Sequence, residues 1–402
     1  MIERLLPDRR ALIAGLGAVA IAALSMTAES NVAIAAPRAS MYAASGSSLT
    51  SFVLNRNSPR TYHISPDGHI QELAWGGGWH TTDISASSGA VPAAPGSSLT
   101  SFSLNGGYPR VYYTSAEGHI RELAWGGGWH ATDITASSRA VPAAPGSSLT
   151  SVALNGSSPR VYYLSSEGHV RELAWGGGWH ATDISASSGA VPAAPGSSLT
   201  SIALNGRYPR IYYLSPDGHI QQLAWAGWQA TDITASSGTV PAAPGSSLTS
   251  FTVTVKDHVT GKDEPPAYSV YYVSPDGHVR ELSGGPTWAS ADLSAAGGQA
   301  PPAAPGSSLT ALVLLGSYLR IYYLSSDGHV QELAAGNGWH VTDISAGSGA
   351  VAAVPGSSLT SLAVTSASLT SADNPRVYYA SADGHVQELA WGQGWHATDL
   401  GG

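Results

Sequence analysis

Short alternations of apolar and polar residues, with no helical period, run through the chain. In Ser148-Leu149-Thr150-Ser151-Val152-Ala153-Leu154 the two kinds roughly alternate, as in a strand with one buried face. Pro159 to Leu164 and His169 to Trp175 read as two further strands around a tight Ser165-Ser166-Glu167-Gly168 turn. At Ser65-Pro66-Asp67-Gly68 the same turn has the residues of a type I turn closed by a left-handed glycine. Trp179 to Ile184 reads as a fourth strand. Ser185 to Gly196, rich in Ala, Pro and Gly, carries neither period and reads as a linker.

This set of four recurs seven times at a period of roughly fifty residues. GSSLT opens each copy, with its glycine at Gly46, Gly96, Gly146, Gly196, Gly245, Gly306 and Gly356, and DGH or EGH marks the middle. A fixed period of that length signals a solenoid or a propeller. Four short strands with a Pro/Gly return loop are a propeller blade, because the return must cross about 14 Å from outer to inner strand and a dozen residues reach that easily. The expected fold is all-β, a seven-bladed β-propeller of four-stranded antiparallel blades over residues 46–402. Two copies are lengthened between their first and second strands, from Val253 to Ser269 and from Thr365 to Pro375, so both insertions are expected as surface loops.

Ahead of the repeats, residues 1–35 read as an export signal. Arg4, Arg9 and Arg10 precede an apolar run from Ala11 to Met26, and Ala33-Ile34-Ala35 offers a small-x-small cleavage site. Arg9-Arg10 fits either a twin-arginine signal or an ordinary basic n-region. Residues 36–45 are expected as a linker. The apolar run is short for a membrane span and no second one follows, so the mature chain is expected to be secreted, without a span. Composition narrows the partners. The net charge is −9 and the only lysines are Lys256 and Lys262, which argues against nucleic acid or an anionic membrane. No cysteine is present, so disulfides and thiolate metal sites are excluded. Trp and Tyr far outnumber Phe, and aromatics with a polar tip suit half-wet surfaces better than dry cores.

The register of the central hairpin carries the candidate chemistry. With Pro66-Asp67-Gly68 as a three-residue loop, Ser65 faces His69, Tyr62 faces Glu72 and Arg60 faces Ala74. Arg60 and Glu72 then share one blade face, and Trp75 lies on the other. Blades pack face to face, so each cleft between them would hold Arg and Glu from one blade and Trp from its neighbour. An Arg fork and a carboxylate can together grip adjacent sugar hydroxyls, while an indole packs on the C–H face of a pyranose. No metal or cofactor is required. The same residues could equally be a cross-strand ion pair and a packing wedge.

The third repeat runs from Arg160-Val161-Tyr162-Tyr163 through Glu167-Gly168-His169-Val170-Arg171-Glu172-Leu173-Ala174-Trp175 to Trp179. It resembles the repeat of the fungal and bacterial fucose-specific lectins, which are β-propellers. That resemblance implies a multivalent binder of fucosylated glycans on cell surfaces. Arg and Glu would bind sugar hydroxyls and Trp from the adjacent blade would stack on fucose. The Arg-to-Glu spacing is constant at Arg60/Glu72, Arg110/Glu122, Arg160/Glu172, Arg320/Glu332 and Arg376/Glu388. Familiar members have six blades, whereas this chain has seven repeats. Pairing follows from where the motif decays, at Gln222, Ser269, Gly284 and Ala335. If each Arg/Glu meets the Trp pair of the following blade, all four losses fall in the fourth and fifth clefts. Five clefts are then expected to bind. They join Arg60/Glu72 with Trp125/Trp129, Arg110/Glu122 with Trp175/Trp179, and Arg160/Glu172 with Trp225/Trp228. The others join Arg320/Glu332 with Trp391/Trp395, and Arg376/Glu388 with Trp75/Trp79 across the ring closure.

Other recurrent polar residues receive blander readings. The histidine after each turn glycine (His69, His119, His169, His219, His278, His329, His385) is expected to be a solvated hairpin residue. The Asp of the last strand, such as Asp83 and Asp133, is expected to be a strand-end acceptor. The rival functions are a propeller glycosidase, which would need a unique carboxylate pair, and a protein-interaction scaffold with packed clefts.

Overall fold

A computed structural model describes residues 42–253, 267–298, 300–365 and 373–401. In the first repeat, β1 (Leu49–Leu54), β2 (Ser58–Ile64), β3 (Ile70–Trp75) and β4 (Trp79–Asp83) pair antiparallel in sequence order. Six further sheets repeat that order, giving a seven-bladed propeller. The register is the expected one, with Arg60 opposite Ala74 and Tyr62 opposite Glu72. The Ser65 amide donates to the His69 carbonyl at 2.9 Å, and Gly68 turns the chain at φ 82°. A side chain at Gly68 would also meet the Ala93 carbonyl at 3.0 Å, because the return loop docks there through the Ala93 amide. Most of both insertions and the export signal lie outside the described residues.

The return segment differs from the linker expected. It begins with α1 (Ile84–Ser88), one turn capped by the Asp83 carboxylate on the Ala86 amide and closed at Gly89 with φ 65°. The Ser85 hydroxyl accepts from the Ile70 amide, tying this turn to β3. Five residues are too few to show a helical period, so pattern alone could not reveal it. Tyr42–Ser45, at the end of the expected linker, serve as a return segment too. The Ala43 amide donates to the Gly384 carbonyl at 2.7 Å, as Ala93 does to Gly68.

The core lies between blades. One layer packs Tyr62, Ile64, Ile70 and Ile84 against Val111, Tyr113, Leu123 and Trp129 of the next blade, and the pattern recurs around the ring. The Tyr-Tyr pairs are fully buried, contrary to the half-wet surface their composition suggested. Their hydroxyls are satisfied: Tyr112 donates to Glu122 at 2.9 Å and Tyr113 to the Val91 carbonyl at 2.6 Å. Leaving such a group unpaired would cost about 1–3 kcal/mol.

Hydroxyls also explain why GSSLT varies so little. Ser47 accepts from the Ile64 amide, and Ser48 from the Leu99 amide of the following blade. Thr50 meets Ser101, Thr100 meets Ser151, and Thr150 meets Ser201, each at 2.7–2.8 Å. Ser51 and Thr360 join the first blade to the last at 2.7 Å, closing the ring.

Candidate functional site

At the end of the blades away from the β2–β3 hairpin, Arg60 near the start of β2 and Glu72 on β3 approach on one face, Nε to Oε1 at 3.5 Å. The same approach is 3.5 Å in Arg110–Glu122, 3.6 Å in Arg160–Glu172 and 3.5 Å in Arg320–Glu332. It is tightest at Arg376, whose Nη1 hydrogen-bonds Glu388. Carbonyls fix the guanidinium from behind: Arg60 Nη1 donates to Pro59 and to Trp75, both at 3.2 Å. Glu72 Oε1 receives the Tyr62 hydroxyl at 2.8 Å, leaving Oε2 as an acceptor. Burial raises the carboxyl pKa of Glu72, Glu122, Glu172 and Glu332, with the tyrosine hydroxyl and the arginine opposing it only in part. A buried carboxylate short of donors gains from any hydroxyl that reaches it.

The tryptophans come from the following blade. Trp129 sits edge-on to Tyr62 at 6.3 Å, Trp179 to Tyr112 at 6.3 Å and Trp228 to Tyr162 at 6.4 Å. Trp395 meets Tyr322 at 6.1 Å, and Trp79 meets Tyr378 across the ring closure at 6.1 Å. In the sixth cleft Arg320, Glu332, Trp391 and Trp395 line one cavity of about 420 Å³. The two tryptophans of each pair have different environments. Trp129, Trp179, Trp228 and Trp395 are buried wedges, whereas their edge-on partners Trp125, Trp175, Trp225 and Trp391 are 40–47% exposed. The exposed rings are the available platforms.

The fourth and fifth clefts differ as their substitutions require. Gln222 accepts from Arg210 at 3.2 Å and from Tyr212 at 3.3 Å. Opposite, Tyr268 pairs with Gly284 across the strands, where Pro59 and Trp75 stand in the first blade. The aromatic has changed strands. Tyr268 meets Trp288 edge-on at 5.5 Å, much as Trp75 meets Trp79 at 5.8 Å, and the Arg210 guanidinium lies 4.8 Å over its ring. That contact fills the space between cation and platform. The fifth cleft holds Glu281, bonded to Tyr271 at 2.7 Å, with Ser269 in place of arginine and Ala335 in place of the exposed tryptophan.

The histidines call for a correction. Each hairpin histidine bonds the last-strand Asp, from His69 Nδ1 to Asp83 Oδ2 at 2.7 Å through His385 to Asp399. Burial opposes the charge of Asp133, but the Ala136 amide, His119 and Arg121 outweigh it and lower its pKa. These pairs belong to the hairpin end, away from Arg and Trp. Among described residues, Asp276, His278 and Asp292 converge as metal ligands do. Arg280 lies 3.0 and 3.1 Å from the two carboxylates and supplies the positive charge there. Sequence reasoning had not singled out the buried tyrosine that orients each glutamate, although the register set Tyr62 opposite Glu72. Nor had it found Tyr268, which stands where proline occurs in five other blades.

Residues 98–274 match the family model of the fungal fucose-specific lectins. The resemblance read in the repeats holds over those residues. No curated protein matches the chain. Among solved structures, AofleA from Arthrobotrys oligospora is 18% identical, with TM-score 0.56, covering 89% of this chain and 86% of that one. The Aleuria aurantia lectin, described as a six-bladed β-propeller with a fucose recognition mode, is 18% identical with TM-score 0.52, covering 89% and 96%. SapL1 lectin, solved with alpha methyl fucoside, is 20% identical with TM-score 0.52, covering 89% and 97%. At such identities the likeness establishes the propeller fold. The family match over residues 98–274 supports carbohydrate binding.

Proposed function

We propose that the protein is a secreted, multivalent lectin that holds fucosylated glycans between adjacent blades without a metal and without turnover. One observation carries this reading: a fixed Arg–Glu pair shares a cleft with an exposed tryptophan of the following blade five times over, and in four of the five the carboxylate is largely buried with a single tyrosine donor. Sugar hydroxyls would bridge guanidinium and carboxylate while the ring's C–H face rests on the indole. The family of residues 98–274 and the fucoside bound by SapL1 lectin support the choice of sugar. Each cleft is shallow, but several on one rigid ring can engage a glycan surface together, gaining roughly 10² to 10⁴ in apparent affinity. The test is a glycan array with and without EDTA, paired with agglutination of fucose-bearing cells. Fucoside-selective, chelator-insensitive binding and inhibition by free fucose are expected. Silence on fucosides, or strict dependence on added calcium, refutes it.

A further inference from the structure

We propose that the sixth cleft holds two sugar rings, with Tyr318 and Leu315 forming a subsite for the residue that carries the fucose. The inference rests on the fucoside reading above and asks what lies beyond the first ring. Tyr318 and Arg320 are two apart on one strand, so they share a face about 6.6 Å apart, a step comparable to that between neighbouring rings of an oligosaccharide. Both line the cavity of about 420 Å³, a size within the range of sites for ligands larger than one ring. Arg320 and Glu332 sit deep, while Tyr318 is 50% exposed at the axial rim.

Leu315 makes the rim unusual. Its φ is 50°, a left-handed conformation that asparagine adopts at the same turn in the first four blades, at Asn55, Asn105, Asn155 and Asn205. Leucine is strained there, and this one is also 57% exposed. Folding gains nothing from such a residue. A ligand with an apolar face would. Its amide is held by Asp373 Oδ2 at 2.9 Å, where Asn55 instead donates to the Gly106 carbonyl of the next blade. Asp373 Oδ1 remains as an acceptor at the cavity wall. Phenol, leucine and carboxylate together suit a second pyranose: a C–H face against Tyr318 and Leu315, and a hydroxyl toward Asp373.

The rim also sorts the other clefts. Tyr108, 53% exposed, takes the same position in the second cleft, whereas Ser58 and Ser158 take it in the first and third and Asn374 in the seventh. The second cleft shares the aromatic but not the leucine, and it extends the ligand less.

The test isolates the sixth cleft in the full chain by replacing Arg60, Arg110, Arg160 and Arg376 with alanine. Calorimetry then compares methyl fucoside with a fucosyl disaccharide. A disaccharide preference of about ten-fold is expected, falling to about two-fold or less in the added pair Leu315→Asn and Tyr318→Ser. Crystals of the unaltered chain soaked with the disaccharide give a second readout, with an ordered second ring over Tyr318. Intact methyl fucoside binding with a preference near one, or a second ring turned away from Tyr318, overturns the subsite alone. Silence of the unaltered chain toward both ligands overturns the fucoside reading, and the subsite with it.

Discussion

Replacing Tyr268 by Pro, Gly284 by Trp and Gln222 by Glu should open the fourth cleft. All three are needed. A Cβ on Gly284 would lie 2.0 Å from the Tyr268 ring, so Gly284→Trp alone collides with the tyrosine already occupying that space. Removing Tyr268 releases Arg210 from a cation–π contact of about 0.5–1 kcal/mol, which an incoming ligand would otherwise have to break. Gln222→Glu then turns neutral hydrogen bonds into charge-assisted ones, a gain of about 1–1.5 kcal/mol or roughly ten-fold in affinity. Proline opposite tryptophan restores the pairing of Pro59 with Trp75. Calorimetric titration with methyl fucoside reads the number of sites directly. On the five-cleft reading, the triple variant gains one site and Gly284→Trp gains none while losing thermal stability. An unchanged site number in a folded triple variant refutes the argument that Tyr268 closes this cleft, as does a new site from Gly284→Trp alone.

Three further outcomes are expected. Tyr112→Phe removes the 2.9 Å donor to Glu122 and should cost about 1–3 kcal/mol in unfolding free energy, read by denaturant titration; a loss within experimental error of zero contradicts the role given to that hydroxyl. Fucoside binding should fall on acidification beginning above 4.5, because it needs glutamates whose pKa is raised by burial, while Glu122→Gln flattens that cleft's share of the profile. The fold should survive this window: a raised carboxyl pKa loses no stability as pH falls, and Asp133 and Asp183 titrate below 3.8. The pKa of His385 is raised by its bond to Asp399, so its stabilising contribution is present below about 6.5 and fades as pH rises through the raised value; Asp399→Asn should remove that dependence from the melting curve.

The period, the strands and the hairpin register were legible because each rests on a local rule. Turn residues fix the loop, alternation fixes the faces, and Arg60 and Glu72 then fall on one side. Pairing with the following blade was legible only through decay, since Gln222, Ser269, Gly284 and Ala335 cluster in two clefts under one choice and scatter under the other. What stayed hidden depends on contacts between segments far apart in sequence. Tyr113 looks like an amphipathic surface residue until the Val91 carbonyl of a return loop appears over its hydroxyl. The seven His–Asp pairs join residues thirteen or fourteen apart across a hairpin, a spacing with no signature of its own. Tyr268 reads as a neutral replacement of proline until Gly284 is seen to vacate the space it fills.

On the proposed reading every cleft lies between two blades, which would tie binding to closure of the ring. An open row of repeats has one fewer boundary than it has blades, and only the contact of the last blade with the first supplies the missing one. Here that boundary is built by Ser51 with Thr360 and by Trp79 against Tyr378, and it brings Arg376 and Glu388 to the Trp75/Trp79 pair. Deleting the seventh blade should therefore remove two clefts at once: the seventh loses its Arg and Glu, and the sixth loses Trp391 and Trp395. Loosening the closure without deleting residues, by Ser51→Val with Thr360→Val, should weaken the seventh cleft and leave the sixth untouched. Titration of each variant with methyl fucoside separates the two cases. Loss of one site on deletion, in place of two, would mean that a cleft works within a blade, against the arrangement argued from the tryptophan contacts.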